Sequence, residues 1–172
     1  SMGAATAARV AMEEPKRAVA LIIARPATPG GPASPQMQLL FRLGGEAVRS
    51  GGWEAAVEFL LSIPTAAAQL ATDPGRLEVL RAEWSRHDPA SIGAALIGIP
   101  ASGPMTVDVD PRAITAPTLV IPGKDLIHPP GAGEAVAAAI PGARLAPPFE
   151  GLSRAEETRA LVGLIREFVS GV

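Results

Sequence analysis

The chain has 172 residues, of which 48% are hydrophobic and 19% charged, and its formal net charge is −2. These values are typical of one globular domain with a core, and the scattered charges do not indicate nucleic-acid binding. Cysteine is absent, which excludes disulfides and thiolate metal sites, and no apolar run approaches the roughly 18 residues of a membrane span.

The first predicted elements are a helix and a strand. Small apolar residues repeat at helical spacing from Gly3 to Glu14, and Pro15 ends that helix because a proline pushes the preceding residue out of the helical region. The stretch RAVALIIARP (17–26) is continuously apolar, which predicts a strand buried on both faces. A helix followed directly by such a strand is half of a parallel α/β unit.

A long helical region then interrupts the α/β pattern. It opens with the Pro/Gly/Ser-rich loop ATPGGPASPQ (27–36) and continues for about 80 residues with apolar side chains three and four positions apart. The glycine pairs at 44–45 and 51–52 are predicted to break its helices into short pieces. Asp88 is the predicted N-cap of the last of these helices, with Pro89 at its first position.

The α/β pattern resumes near residue 110. APTLVIPGKD (116–125) is a second buried strand, GAGEAVAAAI (131–140) a helix, and ARLAPPF (143–149) a short strand weakened by two prolines. A capping box of Ser153 and Glu156 starts the final helix. That helix presents one predicted buried stripe, formed by Leu161, Leu164, Ile165 and Phe168.

Two of these segments resemble the second half of an α/β-hydrolase. SMGAATAARVAMEEPKRAVALIIARP is similar to the turn that bears the nucleophile, with the helix and strand behind it, and DPRAITAPTLVIPGKDLIHPP to the approach to the catalytic acid. The resemblance implies a partial α/β-hydrolase fold of three parallel strands with flanking helices. Residues 1–26 and 110–172 would form the core, and 27–109 an all-helical cap. The first five strands of such a fold are absent from the sequence.

The resemblance assigns Ser1 as the nucleophile of a G-x-S-x-G turn. That turn needs small neighbours such as Gly3, and the backbone N–H of Met2 would donate to the oxyanion. Two alternatives stay open: Ser1 and Met2 are an expression-tag remnant, or Ser1 is an N-terminal nucleophile that uses its own amino group as base.

The same resemblance assigns Asp125, after the second core strand, as the catalytic acid, although its spacing from Gly123 is one residue shorter than usual. The histidine expected after the last strand is missing, because Gly151 is followed by Leu152. Three sources of a base remain: the absent half of the fold, His128 in the turn after Asp125, and His87 in the cap. A structural role is the alternative for both histidines, and for Asp125 a turn cap paired with a basic residue.

The cap aromatics Phe41, Trp53, Phe59 and Trp84 form either cap core or the wall of an apolar acyl pocket. We therefore expect a serine hydrolase acting on an ester, thioester, lactone or carbon–carbon bond of a small apolar acyl-type substrate, without cofactor or metal. The alternatives are a non-hydrolytic binding or scaffold relative, because of Leu152, and a triad-free acid–base enzyme that uses Asp125 and His128.

The strand at 17–25 would lack a neighbour in an isolated half, which predicts a partner that covers its edge. That partner is an N-terminal half of the same fold as a second chain or, alternatively, a second copy in a homodimer. Nucleic-acid and membrane partners are not expected. A composition rich in Ala, Gly, Pro and Arg is typical of a GC-rich bacterial coding sequence. We expect a cytoplasmic location because no targeting segment is recognised.

Overall fold

A computed structural model of the chain describes residues 2–28, 33–73, 75–102, 110–125 and 127–172. The chain divides into two compact units, one formed by 1–32 and 103–172 (the sheet unit) and one by 33–102 (the helical unit). In chain order, the helices and strands are α1 (Met2–Glu13), β1 (Leu21–Ala24), α2 (Pro35–Ser62), α3 (Pro64–Ala71), α4 (Arg76–Trp84), α5 (Pro89–Ser102), β2 (Thr118–Ile121), α6 (Pro130–Ala139), β3 (Arg144–Leu145) and α7 (Arg154–Ser170).

The sheet unit contains three parallel strands in the order β1-β2-β3. Leu21 of β1 is in register with Thr118 of β2, and Leu119 of β2 with Arg144 of β3. Because parallel strands leave their polar loops at the same edge, the segments after β1 and β2 emerge side by side. The predicted fold class, parallel strands with flanking helices, is confirmed.

Helices cover both faces of this sheet. On one face, Ala8 and Ala11 of α1 and Val136 of α6 pack with Ile23 and Val120. On the other face, Leu119, Ile121, Ala146 and Leu164 of α7 form a second cluster. The predicted stripe of α7 lies there too: Leu164 is buried, and Leu161, Ile165 and Phe168 pack against the cluster.

Strand burial follows position in the sheet. The central strand β2 is buried along its whole length, as its continuous apolar run predicts. The sequence predicts that β1 is buried on both faces. In the structure Leu21 and Ile23 are buried, whereas Ile22 is half-buried and Ala24 is exposed. In the described part of the chain β1 pairs with β2 alone, at an edge of the sheet, and its second face is covered only in part.

The third strand is shorter than predicted. β3 spans Arg144–Leu145 instead of 143–149, and Ala146 N–H donates one further bond to the Val120 carbonyl at 2.8 Å. Pro147 and Pro148 follow, and neither has an N–H to continue the ladder.

The helical unit corrects the prediction that both glycine pairs break helices. Gly44 and Gly45 lie inside α2, and the helix departs from helical backbone only at Gly52, where φ is 66°. A Cβ on Gly45 would lie 2.6 Å from the carbonyl oxygen of Gly93 in α5, and a Cβ on Gly93 would lie equally close to the Gly45 carbonyl. Gly45 therefore permits a close approach of α2 and α5, and the Gly44–Gly45 pair does not act as a turn.

Among the described residues, no helix is both long and apolar enough to cross a membrane.

Candidate functional site

Asp125 lies four residues beyond the end of β2, in the segment that joins β2 to α6. Its Oδ1 accepts the backbone N–H of Ile127 at 3.0 Å and that of His128 at 2.8 Å. Its own N–H donates to the His128 carbonyl at 3.3 Å. A short aspartate-centred turn thus holds the carboxylate at the carboxyl end of the central strand, where open parallel sheets bind ligands.

Two glycines define the path of this turn. A Cβ on Gly123 would lie 2.2 Å from the His128 carbonyl oxygen and 2.3 Å from the His128 Cβ. A Cβ on Gly133, in α6, would lie 2.8 Å from Cβ of Pro122. Both positions need the absence of a side chain because backbone passes directly over them. His128 therefore packs closely over Gly123, and Pro122, at the start of the same segment, packs closely over Gly133 of α6.

The structure brings Asp125 and His128 together as a side-chain pair. His128 Nδ1 lies 3.0 Å from Asp125 Oδ1, and the two side chains are only 16% and 19% exposed, respectively. An ionised carboxylate can only accept hydrogen bonds, so Nδ1 carries the donated proton. Among the described contacts of His128, the ring uses Nδ1 alone, which leaves Nε2 available to accept a proton.

The environment favours an ionised aspartate beside a neutral histidine. Burial by itself raises the pKa of the Asp125 carboxyl, but hydrogen bonds from the backbone and ring of His128, together with the positive charges of Arg25 and of His128 when its ring is protonated, bring that pKa below its ordinary value. Burial lowers the pKa of His128; Asp125 opposes this and Arg25 adds to it, so the pKa stays below its ordinary value. A neutral imidazole that donates from Nδ1 is the form that can act as a general base through Nε2.

Arg25 is a third member of this cluster. It directly follows β1, and its guanidinium forms an ion pair with Asp125 Oδ2. The sequence allowed for Asp125 as a turn cap paired with a basic residue, and the structure contains such a cap and pair, but the sequence did not identify Arg25 as the partner. The signal that could have found it is an arginine at the carboxyl end of a buried strand, beside the strand that leads to the acid.

Met2, the predicted oxyanion donor, and Gly3, the predicted small residue of the nucleophile turn, lie in the first turn of α1. Met2 is 57% exposed. Among the residues that the structure describes, a Cβ on Gly3 would meet no atom within 4 Å beyond its chain neighbours and the backbone of its own helix. Ser1, the predicted nucleophile, lies outside the described residues. Its relation to Asp125 and His128 therefore stays a prediction.

Two further candidates from the sequence are Leu152 and His87. Leu152 is 41% exposed in the segment before α7. His87 is exposed in the turn after α4, where its N–H donates to the Trp84 carbonyl at 2.9 Å. Within the described ranges, His, Asp and Glu side chains form no group of three or more that could hold a metal ion.

The predicted pocket aromatics all belong to the helical unit. Trp53 and Trp84 stack with ring centroids 5.6 Å apart, and the ring of Phe59 packs over Gly44. Phe41 is half-buried in α2. These contacts are those of a helical core, and a role in a substrate pocket stays a prediction.

Comparison with known proteins places this geometry in a wider context. No protein-family model matches the sequence, and no curated protein does. Solved structures, however, do match the chain. An enol-lactonase from Burkholderia xenovorans LB400 is 24% identical, with a TM-score of 0.74 over 99% of this chain and 63% of that one. An α/β-hydrolase enzyme from a Medee basin deep-sea metagenome library is 18% identical, with a TM-score of 0.73, and the match covers 99% of this chain and 62% of that one.

The chain is part of an α/β-hydrolase fold. A thermophilic esterase from Thermogutta terrifontis is similar as well, with 28% identity, a TM-score of 0.67, and coverage of 98% of this chain and 63% of that one. The chain thus spans less than two thirds of each of these proteins. Within this partial α/β-hydrolase fold, the Asp125 turn follows the middle of the three strands.

Proposed function

We propose that this chain contributes to a serine hydrolase that cleaves an ester or a lactone, with Asp125 and His128 as its acid–base pair. The observation that carries the proposal is the 3.0 Å approach of His128 Nδ1 to Asp125 Oδ1 at the carboxyl end of β2. Similar solved proteins include an esterase and an enol-lactonase, which supports these bonds over the thioester and carbon–carbon bonds that the resemblance also allows.

The roles of the residues follow from this pair. Nε2 of His128 takes the proton of the Ser1 hydroxyl as its oxygen attacks the substrate carbonyl, and returns that proton to the leaving alcohol. Water then enters by the same route and releases the acid. Asp125 keeps the imidazole in the tautomer with the proton on Nδ1, and the backbone N–H of Met2 stabilises the oxyanion. We propose a small apolar acyl group as the substrate's recognition element.

The proposal includes a partner for β1. Within the described part of the chain, β1 pairs with β2 alone, and an unpaired strand edge is a template for another strand. Similar proteins are longer than this chain by more than a third of their own length. An N-terminal half of the same fold is therefore our proposed occupant, with a second copy of this chain as the alternative.

The decisive experiment uses a fluorophosphonate serine-hydrolase probe and hydrolysis of p-nitrophenyl butyrate by the purified protein. We expect a probe adduct on Ser1, detected by intact-mass spectrometry and peptide mapping, and we expect His128→Gln and Asp125→Asn to abolish both adduct and turnover. His87→Gln is the matched control, since His87 is the other histidine and is exposed in the helical unit. Full labelling of His128→Gln would remove His128 from the proposed mechanism.

A second candidate function is a non-hydrolytic binding protein of the same fold. Leu152 favours it, because the resemblance expects a catalytic histidine in this segment. Under this alternative no probe adduct forms, while short-chain acids or esters still bind and perturb the His128 NMR signals. Intact-mass measurement of the untreated sample also shows whether a second polypeptide accompanies the chain.

A further inference from the structure

Arg25 has an unusual backbone for its residue type. Its φ of 51° makes it the one non-glycine residue in the left-handed region within the described part of the chain. Its N–H donates to the Ile121 carbonyl at 2.7 Å, so the conformation is held by a bond to the end of β2. Non-glycine residues held in this region cluster at functional sites, where the surrounding structure over-determines them.

The two oxygens of Asp125 have separate partners. Oδ1 accepts from the backbone of Ile127 and from the backbone and ring of His128. Oδ2 is paired with the Arg25 guanidinium, across 100 residues of sequence. A carboxylate held at both oxygens cannot rotate about its Cβ–Cγ bond without losing partners on both sides. The orientation of Oδ1 toward the imidazole is therefore set jointly by the backbone N–H groups at Oδ1 and by the group that holds Oδ2.

We propose that Arg25 is a positioning residue: its guanidinium fixes Oδ2 of Asp125 so that Oδ1 faces Nδ1 of His128. The left-handed backbone of Arg25 directs its side chain from the end of β1 across to the turn after β2. A catalytic role for the Asp125–His128 pair rests on the proposed function. The positioning of Asp125 by Arg25 rests on the geometry alone.

The test measures the tautomer of His128 by side-chain ¹⁵N NMR at a pH where the imidazole is neutral. The bond made by one ring nitrogen sets which nitrogen is protonated. In the parent protein we expect the proton on Nδ1. In Arg25→Ala we expect the population to move toward the Nε2–H form, and Arg25→Lys should restore the parent tautomer in part.

Two further variants make the result decisive. Arg25→Gly removes the same guanidinium while accepting the positive φ without a Cβ, so it reports on positioning if the alanine variant does not fold. Arg144→Ala is the matched control, because it removes an exposed arginine of the sheet unit whose partner is Glu167 on α7. Its His128 spectrum should equal that of the parent.

A His128 ring that keeps Nδ1–H in both folded Arg25 variants would overturn the positioning role. If Arg25 acts only as a nearby charge, its removal raises the pKa of His128 without changing the tautomer. Failure of the proposed function looks different: the tautomer then depends on Arg25, yet the parent hydrolyses no ester. In a hydrolytically active protein, we expect Arg25→Ala to reduce kcat with little change in KM.

Discussion

Replacement of Gly123 by alanine tests the packing that brings His128 to Asp125. The added methyl would lie 2.2 Å from the His128 carbonyl oxygen and 2.3 Å from its Cβ. Real carbon atoms do not approach so closely, and the opposing atoms belong to backbone and to a side-chain root that cannot swing away. The turn must therefore move as a whole.

Two contributions lower the free energy of unfolding of Gly123→Ala. Insertion of a methyl into a packed site costs about 1–3 kcal/mol. Displacement of His128 also weakens its backbone and ring bonds to Asp125, and a hydrogen bond to a charged group contributes about 1.5–3 kcal/mol. Because the pair keeps some exposure to water, we expect a total loss of about 2–4 kcal/mol, a large share of the roughly 5–15 kcal/mol that stabilises an ordinary domain.

The measurement is urea unfolding followed by far-ultraviolet circular dichroism. Tryptophan fluorescence is less suitable, because Trp53 and Trp84 both lie in the helical unit. Gly163→Ala in α7 is the matched control: among the described residues, its added methyl meets no atom within 4 Å beyond its chain neighbours and the backbone of its own helix, so we expect a gain of about 1 kcal/mol from helix propensity. A Gly123→Ala protein within about 0.5 kcal/mol of the parent, the usual range for an indifferent surface change, would refute the close approach.

Three other predictions concern acid stability, helix crossing and helix capping. The pKa of His128 is lower in the folded protein than its ordinary value, so the unfolded chain binds that proton first and the unfolding free energy falls as the pH drops through about 6.5. The lowered pKa of Asp125 adds a second loss as the pH falls further, below about 3.9. His128→Gln should abolish the first loss in urea titrations at stepped pH. Gly45→Ala should lower the free energy of unfolding by about 1–3 kcal/mol, because its methyl meets the Gly93 carbonyl of α5. Gly98→Ala, which has open space around it, should be neutral or stabilising. Equal effects of the two variants would contradict the close approach of α2 and α5. Ser153→Ala should cost about 1 kcal/mol by removing the N-cap of α7, and an unchanged melting temperature would show that the capping box does not stabilise the helix.

Local patterns in the sequence predicted most of the elements and their order. Continuous apolar runs predicted β1 and β2, and the Ser153–Glu156 spacing predicted a capping box that the structure contains. These features depend on residues only a few positions apart, which is why a sequence displays them. The resemblance to α/β-hydrolases rested on the same local segments and placed Asp125 after β2.

Tertiary structure decided how the candidate site is assembled. Arg25 and Asp125 are 100 residues apart, and no local pattern indicates that the ends of β1 and β2 bring them together. The role of Gly44 and Gly45 was misread for a related reason, since a glycine pair looks the same in a turn and in a helix that another helix approaches closely. His128 lies only three residues from Asp125, and its backbone packs directly over Gly123, where an added side chain would displace it. The sequence names the residues that can carry this chemistry, whereas the parallel register of the strands and the packing of one turn determine which of them meet.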